Sequence, residues 1–468
     1  MSTSTSVELQ TMVRPTDEGH TLATWNASSP PDTAALAMDD EAQETRHEFS
    51  LPPVDGGKDA WLFLAACFLL EALVWGFPFA FGIFQDYYQT HEPFRGSDNI
   101  AVIGTCAMGI MYLDAPLIMG LMRMYPRVSR WAPVTGLLIM CVALGLSSLS
   151  QTVTHLVLSQ GILFAVGGSI CYCPCIQYMD EWFVKRKGFA FGVMWSGTGL
   201  GGFSIPMLLE MLLSRYGFRT TLRVWAVALF LLTIPLVYFI KPRLPPSATT
   251  NIKPFQIGFM FKTTFLIYQA GNVLQSLGFF LPGIYLPLYA RASLGAGSLT
   301  AATTVLAVNV ASVFGCLAMG TLIDKLHVTT CILISTLGAM VGIFLFWGLA
   351  TNLPVLYVFC VVYGLFAGSY SSTYPGIMRQ LSLPSQSAEG GQVGTSFDPI
   401  MIFGFLAAGR GVGNVISGPL SEALIRGMPW QGEAAFGYGS GYGPLIAFTG
   451  ITAGLGGASY LFKRVGWM

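Results

Sequence analysis

The 468-residue chain is 53% hydrophobic and only 10% charged, its 24 Lys and Arg balance 24 Asp and Glu, and its mean hydropathy is +0.60. Soluble globular domains carry about 25% charged residues, so an ordinary soluble protein is excluded and a polytopic membrane protein is implied. Overall neutrality says nothing about partners, because in such a chain the informative quantity is how Lys and Arg divide between the loops.

Residues 1–58 are rich in Ser, Thr, Pro and acidic residues and hold no apolar run long enough for a signal peptide, which predicts a disordered cytoplasmic tail. Asn26-Ala27-Ser28 fits the glycosylation pattern but falls in that tail, where it is expected to stay unmodified. Apolar segments of about 20 residues follow, each enough to cross a roughly 30 Å hydrocarbon core as a helix. They run over 61–84, 99–122, 131–149, 153–178, 188–213, 221–240, 264–289, 299–323, 330–349, 354–377, 399–424 and 442–463. The predicted fold is therefore an all-α membrane protein of twelve transmembrane helices. Its expected domains are the tail, a six-helix bundle over 59–240, a cytoplasmic linker over 241–263 and a second six-helix bundle over 264–468.

Charged or proline-containing joints separate the spans, among them Lys185-Arg186-Lys187, Lys241-Pro242-Arg243 and Asp324-Lys325. With the N-terminus in the cytoplasm, most Lys and Arg fall on that side, while the opposite side holds only Arg95, Arg215, Arg219, Arg223, Arg291 and Arg426. The positive-inside bias places both termini in the cytoplasm, and the plasma membrane is the expected location.

The two halves repeat one another. Gly197, Gly199, Gly201 and Glu210 recur 212 positions on as Gly409, Gly411, Gly413 and Glu422. Met119-Gly120 returns as Met319-Gly320 and Gly168-Ser169 as Gly368-Ser369, each 200 positions on. The displacement grows only after the polar 379–397 segment, where an insertion would put it. Parallel repeats of several spans mark secondary transporters, whose site lies at the repeat interface near the bilayer midplane.

Gly320-Thr-Leu-Ile-Asp324-Lys325, after the eighth span, resembles the loop signature of the major facilitator superfamily. There the glycine permits close packing, and the Asp can latch a basic residue or a helix N-terminus. Met124 stands at the matching place in the first half, so a weaker latch is expected there. Asp55-Gly56-Gly57-Lys58-Asp59-Ala60-Trp61 and the Glu181-to-Gly188 joint resemble stretches of the monocarboxylate-porter family, especially its fungal branch. That family's animal lactate carriers use a lysine in the first span and an Asp/Arg pair in the eighth. This chain has Glu71 in the former and no charge before Asp324 in the latter, so the resemblance implies a divergent organic-solute carrier instead of a proton–lactate symporter.

Ionisable groups at membrane depth cost about 2.5–3.5 kcal/mol each on insertion scales and are functional candidates by default. Three occur: Glu71, Asp114 and Arg410. Arg410 lies about eleven residues, roughly 16 Å, into its span. It is either a ligand for an anionic substrate or a gating residue, or one member of a structural ion pair with Asp114 or Glu71. Glu71 occupies the place that Asn272 takes in the second half and is a candidate proton carrier or a neutral, hydrogen-bonded acid. Asp114 reads as a partner for Arg410 or the Arg123 region.

Asn414 joins the polar candidates, and Tyr172, Gln177, Gln275, Tyr285, Tyr370 and Tyr374 are candidates to line a cavity for a ring-bearing solute. Gly197/Gly201 and Gly409/Gly413 lie inside spans, with no preceding strand, so they are small-residue packing faces and not a nucleotide fingerprint. Gly320, Asp324 and Lys325 are gating candidates. Cys171, Cys173 and Cys175 do not share a helix face and have no histidine partner, which predicts packing rather than metal binding.

The expected function is secondary active transport of a small organic anion or secondary metabolite by alternating access, with efflux favoured and a proton gradient as the expected energy source. Import of a carboxylate nutrient and a non-transporting nutrient sensor are the alternatives. No enzyme activity, cofactor, metal or nucleic-acid partner is expected. The partners are a small-molecule substrate, the lipid bilayer and protons, and the carrier is expected to be a monomer.

Overall fold

The computed structural model describes residues 51–97, 99–244, 257–383 and 397–468, and those residues form helices and no strand. The tail up to residue 50, Asn26, and most of the expected linker and of the polar 379–397 segment lie outside the described residues.

In chain order the crossings are Gly57–Thr90 (α1), Ile100–Leu113 with Ala115–Met124 (α2), Ala132–Ser147 (α3), Val153–Trp182 (α4) and the long Lys187–Val237 helix. Thr263–Leu294 (α7), Leu299–Ile323 (α8), Val328–Trp347 (α9), Leu353–Ser382 (α10), Pro399–Ile425 (α11) and Gly443–Arg464 (α12) follow. Gly217, at φ 71° and ψ 168°, divides Lys187–Val237 into 187–216 (α5) and 218–237 (α6). That conformation is open to glycine because it has no Cβ. With Lys187–Val237 counted as one, nine of the described helices are long and apolar enough to cross a membrane, α2 is a pair bent by 42°, and α3 is a shorter apolar helix.

The boundaries follow the sequence's own signals. Pro133, Pro354, Pro399 and Pro444 sit in the first turns of α3, α10, α11 and α12, where a missing N–H costs nothing. Thr152, Asn352 and Asp398 cap helices by accepting from the backbone N–H of His155, Val355 and Ile400. The first helix of each half breaks at the equivalent place, α1 at Ala80 and α7 at Phe280.

The repeated glycines make equivalent contacts. A Cβ at Gly197 or Gly201 of α5 would strike the Phe68 or Ala72 carbonyl of α1, and one at Gly409 or Gly413 of α11 would strike Gln269 or Ser276 of α7. Each half thus seats its fifth helix against its first through a small-residue face, the arrangement that lets helix backbones approach closely in lipid. Between halves, α5 packs on α8 and α2 on α11.

One buried apolar cluster joins residues of the first half to the ends of α7–α11 that lie nearest the 182–187 and 323–328 joints, which we call the linker face. The other cluster, toward the opposite face, contains second-half residues alone. The halves are therefore packed together at the linker face and apart at the other. The sequence boundary of the tail requires correction: Asp55 and Pro52 are packed in place, and α1 begins at Gly57.

Candidate functional site

Where the halves part, they enclose a cavity of about 1970 Å³. Its mouth is formed by the α1 end near His91, the Gly217 turn and the α7 end near Arg291, all opposite the linker face. Its floor is aromatic. Trp195 of α5 stacks on Phe403 of α11 at 5.9 Å and 14°, and Tyr374 of α10 meets both edge-on at 6.1 and 5.9 Å. Phe191 lies against Trp195 at 5.0 Å, its ring tilted by 35°. Phe191 and Trp195 come from the first half and Tyr374 and Phe403 from the second, so separating the halves at this level would dismantle the floor.

Arg410 and Glu71 both face the cavity, from opposite halves, and both are buried, at 3% and 2% exposure. They do not pair: the ion pairs among the described residues are Arg123–Asp398 and Lys187–Asp180. The Arg410 guanidinium lies 4.2 Å over the Phe279 ring and 5.5 Å over Phe280, and donates to Gln275 Oε1 at 3.2 Å. Its neighbours are thus aromatic faces, a neutral amide and the hydroxyls of Tyr112 and Tyr374. A buried cation held by cation–π contact, one amide and two neutral tyrosine hydroxyls still keeps donors, out of its five, for a planar acidic group that enters the cavity. Glu71 accepts a 2.6 Å bond from Thr198 at Oε1, while Oε2 has no hydrogen-bond partner among the described residues.

Tyr172, Tyr285, Tyr374 and Asn414 line the cavity. Tyr172 accepts from Trp195 Nε1 at 3.0 Å, which steers the floor indole. Tyr285 bonds Ser421, and Asn414 Oδ1 is buried without a partner among the described residues.

Sequence expectations for five residues are corrected. Asn272 stands behind the wall, donating to the Leu406 carbonyl and accepting from Tyr374 at 2.7 Å, so it positions Tyr374 and does not face the cavity. Asp114 forms the bend in α2 and accepts from Ser169 at 2.7 Å; it pairs with neither Arg410 nor Arg123. Gln177 and Tyr370 are not among the lining residues, and Gln275 acts through Arg410. Sequence reasoning missed Trp75, Tyr112, Trp195, Phe279, Phe280 and Phe403, because an aromatic residue inside an apolar span carries no signal of which way it faces.

The linker face is closed by two clamps. Asp324, at the end of α8, accepts from the backbone N–H of Gly188 and Phe189 at 2.8 and 2.9 Å, in the first turn of α5. Such first-turn donors have no partner within the helix, and an anion there also meets the positive end of the helix dipole. Gly188, Gly192 and Gly320 bring α5 and α8 so close that a Cβ on any of them would collide with the other helix. Lys325 is exposed beside this contact.

At the equivalent place between α2 and α11, Met124 supplies no acid, yet Arg123 donates to Asp398 at 3.0 Å with both side chains buried. The expected weaker latch therefore has a counterpart built in the reverse sense, with the acid capping α11 and the base on α2. A third carboxylate braces the joint from within the first half. Asp55 accepts from the N–H groups of Val184, Lys185 and Arg186 at 2.9–3.0 Å. Partial burial pushes its carboxyl up, but the three amides, with the Lys185 charge, outweigh that and hold it below the ordinary aspartate value.

Comparison with known proteins points the same way. The family model described as Major Facilitator Superfamily matches residues 123–397. The chain is 27% identical to the MFS transporter asaE of Aspergillus flavus, over 87% of each chain. It is 30% identical to MFS-type transporter 1 of an Ophiocordyceps species, over 70% of this chain and 73% of that one. It is 28% identical to the agnestins efflux protein AgnL12 of Paecilomyces divaricatus, over 99% of this chain and 98% of its relative.

Proposed function

The chain belongs to the major facilitator superfamily and is a multi-pass membrane transporter, and from that premise we propose that it exports a bulky, ring-bearing organic anion of secondary metabolism, with Arg410 as the anion-binding residue. The observation that carries this reading is a buried guanidinium with no acidic partner among the described residues, set in an aromatic wall of a cavity of about 1970 Å³. Pockets for drug-sized ligands run to about 300–1,000 Å³, so a two- or three-carbon carboxylate would be held by little besides the arginine. Similarity to a relative named for agnestin efflux supports export over nutrient uptake. The Lys- and Arg-rich linker face is then cytoplasmic, and the cavity as it stands faces outward. The carrier works as a monomer in the plasma membrane, and the resemblance of its Asp55 and Glu181-to-Gly188 stretches to the monocarboxylate porters is what relates it to that family.

The test is export from the source organism. A strain lacking the protein retains an acidic metabolite, the wild-type allele restores its release, Arg410→Lys restores it partly and Arg410→Gln does not. Full restoration by a correctly inserted Arg410→Gln protein would remove the anion-site reading.

A further inference from the structure

The charge of the cavity determines what can drive the cycle. Of the charged side chains lining it, Asp86, Glu210, Arg291 and Glu422 are exposed near the mouth, while Glu71 and Arg410 alone are buried in its depth. Arg410 is always a cation, because a guanidinium is not deprotonated in proteins. Glu71 has one oxygen on Thr198, the other unpartnered, and no cation within ion-pair distance among the described residues. Removing an unpaired carboxylate from water costs far more than removing a carboxylic acid. Asp114, the other carboxylate at membrane depth, does not line the cavity. Alternating access changes which solution the deep cavity meets and leaves the mouth residues on their own side.

We infer that Arg410 is an uncompensated charge that changes sides with the cavity, so that export is electrogenic and driven by the membrane potential. The inference rests on the proposed anion site. An empty carrier returns one positive charge to the inside, which an inside-negative potential favours. A carrier loaded with a monovalent anion is neutral at this depth and moves outward without regard to the potential. Each cycle then moves one negative charge out, and no proton need cross. The proton role expected for Glu71 gives way to that of a constant neutral acid whose proton is retained throughout.

The experiment needs no substrate. Full-length protein in vesicles carries a fluorescent donor and acceptor across the cavity mouth, and potassium diffusion potentials set the voltage. One elementary charge crossing 100 mV should move the outward-to-inward ratio of the empty carrier by up to about fiftyfold. Wild type, Arg410→Lys and Glu71→Gln should respond alike, and Arg410→Gln should not respond. Indifference of the wild type to voltage, an Arg410→Gln response equal to that of the wild type, or a changed response in Glu71→Gln each overturns the inference. An Arg410→Gln protein locked in one state would leave the decision to Arg410→Lys and Glu71→Gln, both of which must match the wild type. Failure of the export reading would register separately, as metabolite release that does not need Arg410.

Discussion

Replacing Asp324 with Asn should tip the carrier out of the state in which the linker face is closed. The two bonds from Gly188 and Phe189 close the linker face by tying α8 to the first turn of α5. A hydrogen bond to a charged group contributes about 1.5–3 kcal/mol. Asparagine keeps one acceptor oxygen but loses the charge and the second acceptor, so the closed linker face loses roughly one such bond. The side chain meets water in the opposite state whichever residue is present, so the loss falls on one state alone. At 1.4 kcal/mol per tenfold, the outward-to-inward ratio drops about 10- to 150-fold. Spin labels at Gln89 and Ala302, both exposed at the mouth, read the ratio as a distance distribution by double electron–electron resonance. The wild type should favour the long distance and Asp324→Asn the short one. Matching distributions in a well-folded variant would refute the view that Asp324 holds this state.

Arg123→Gln or Asp398→Asn breaks a buried pair and strands its partner, a loss of about 3–5 kcal/mol. It should appear as lower thermal stability and be partly recovered in the charge-swapped double variant. Gly413→Leu drives a side chain into Ser276 of α7 and should destabilise by at least the 1–3 kcal/mol typical of overpacking, while leucine at open Gly418 should be tolerated. Because the carboxyl of Asp55 is depressed in the folded protein, its stabilising contribution is present above its unfolded value, near 3.8, and is lost as pH falls through the lower folded value. Melting curves of wild type and Asp55→Asn should therefore differ at neutral pH and converge in strong acid; a gap independent of pH would count against the amide-bond account.

Much of the fold was legible because membrane spans announce themselves by length and hydropathy, and because Gly197/Gly201 and Gly409/Gly413 repeat at fixed separation. Arg410 and Glu71 stood out since charges are rare at that depth. Their pairing was not legible, because whether two intramembrane charges meet depends on helix rotation; here each turns to the cavity from its own half. The Arg123–Asp398 pair spans 275 positions and was hidden by treating residues up to 397 as an insertion. The sequence Asp398-Pro399 carried a usable sign, an N-cap followed by a first-turn proline. The role of Asp55 was concealed in the same way, by a composition that reads as tail right up to α1.

The brace at Asp55 grips main-chain amides and leaves the side chains of Val184, Lys185 and Arg186 facing outward. Architecture and surface chemistry are uncoupled at that joint. Substitutions at Val184 and Arg186 can retune how the protein meets a lipid headgroup layer while the aspartate keeps the backbone in register, whereas a change at Lys185 also removes a charge that helps hold the carboxyl low.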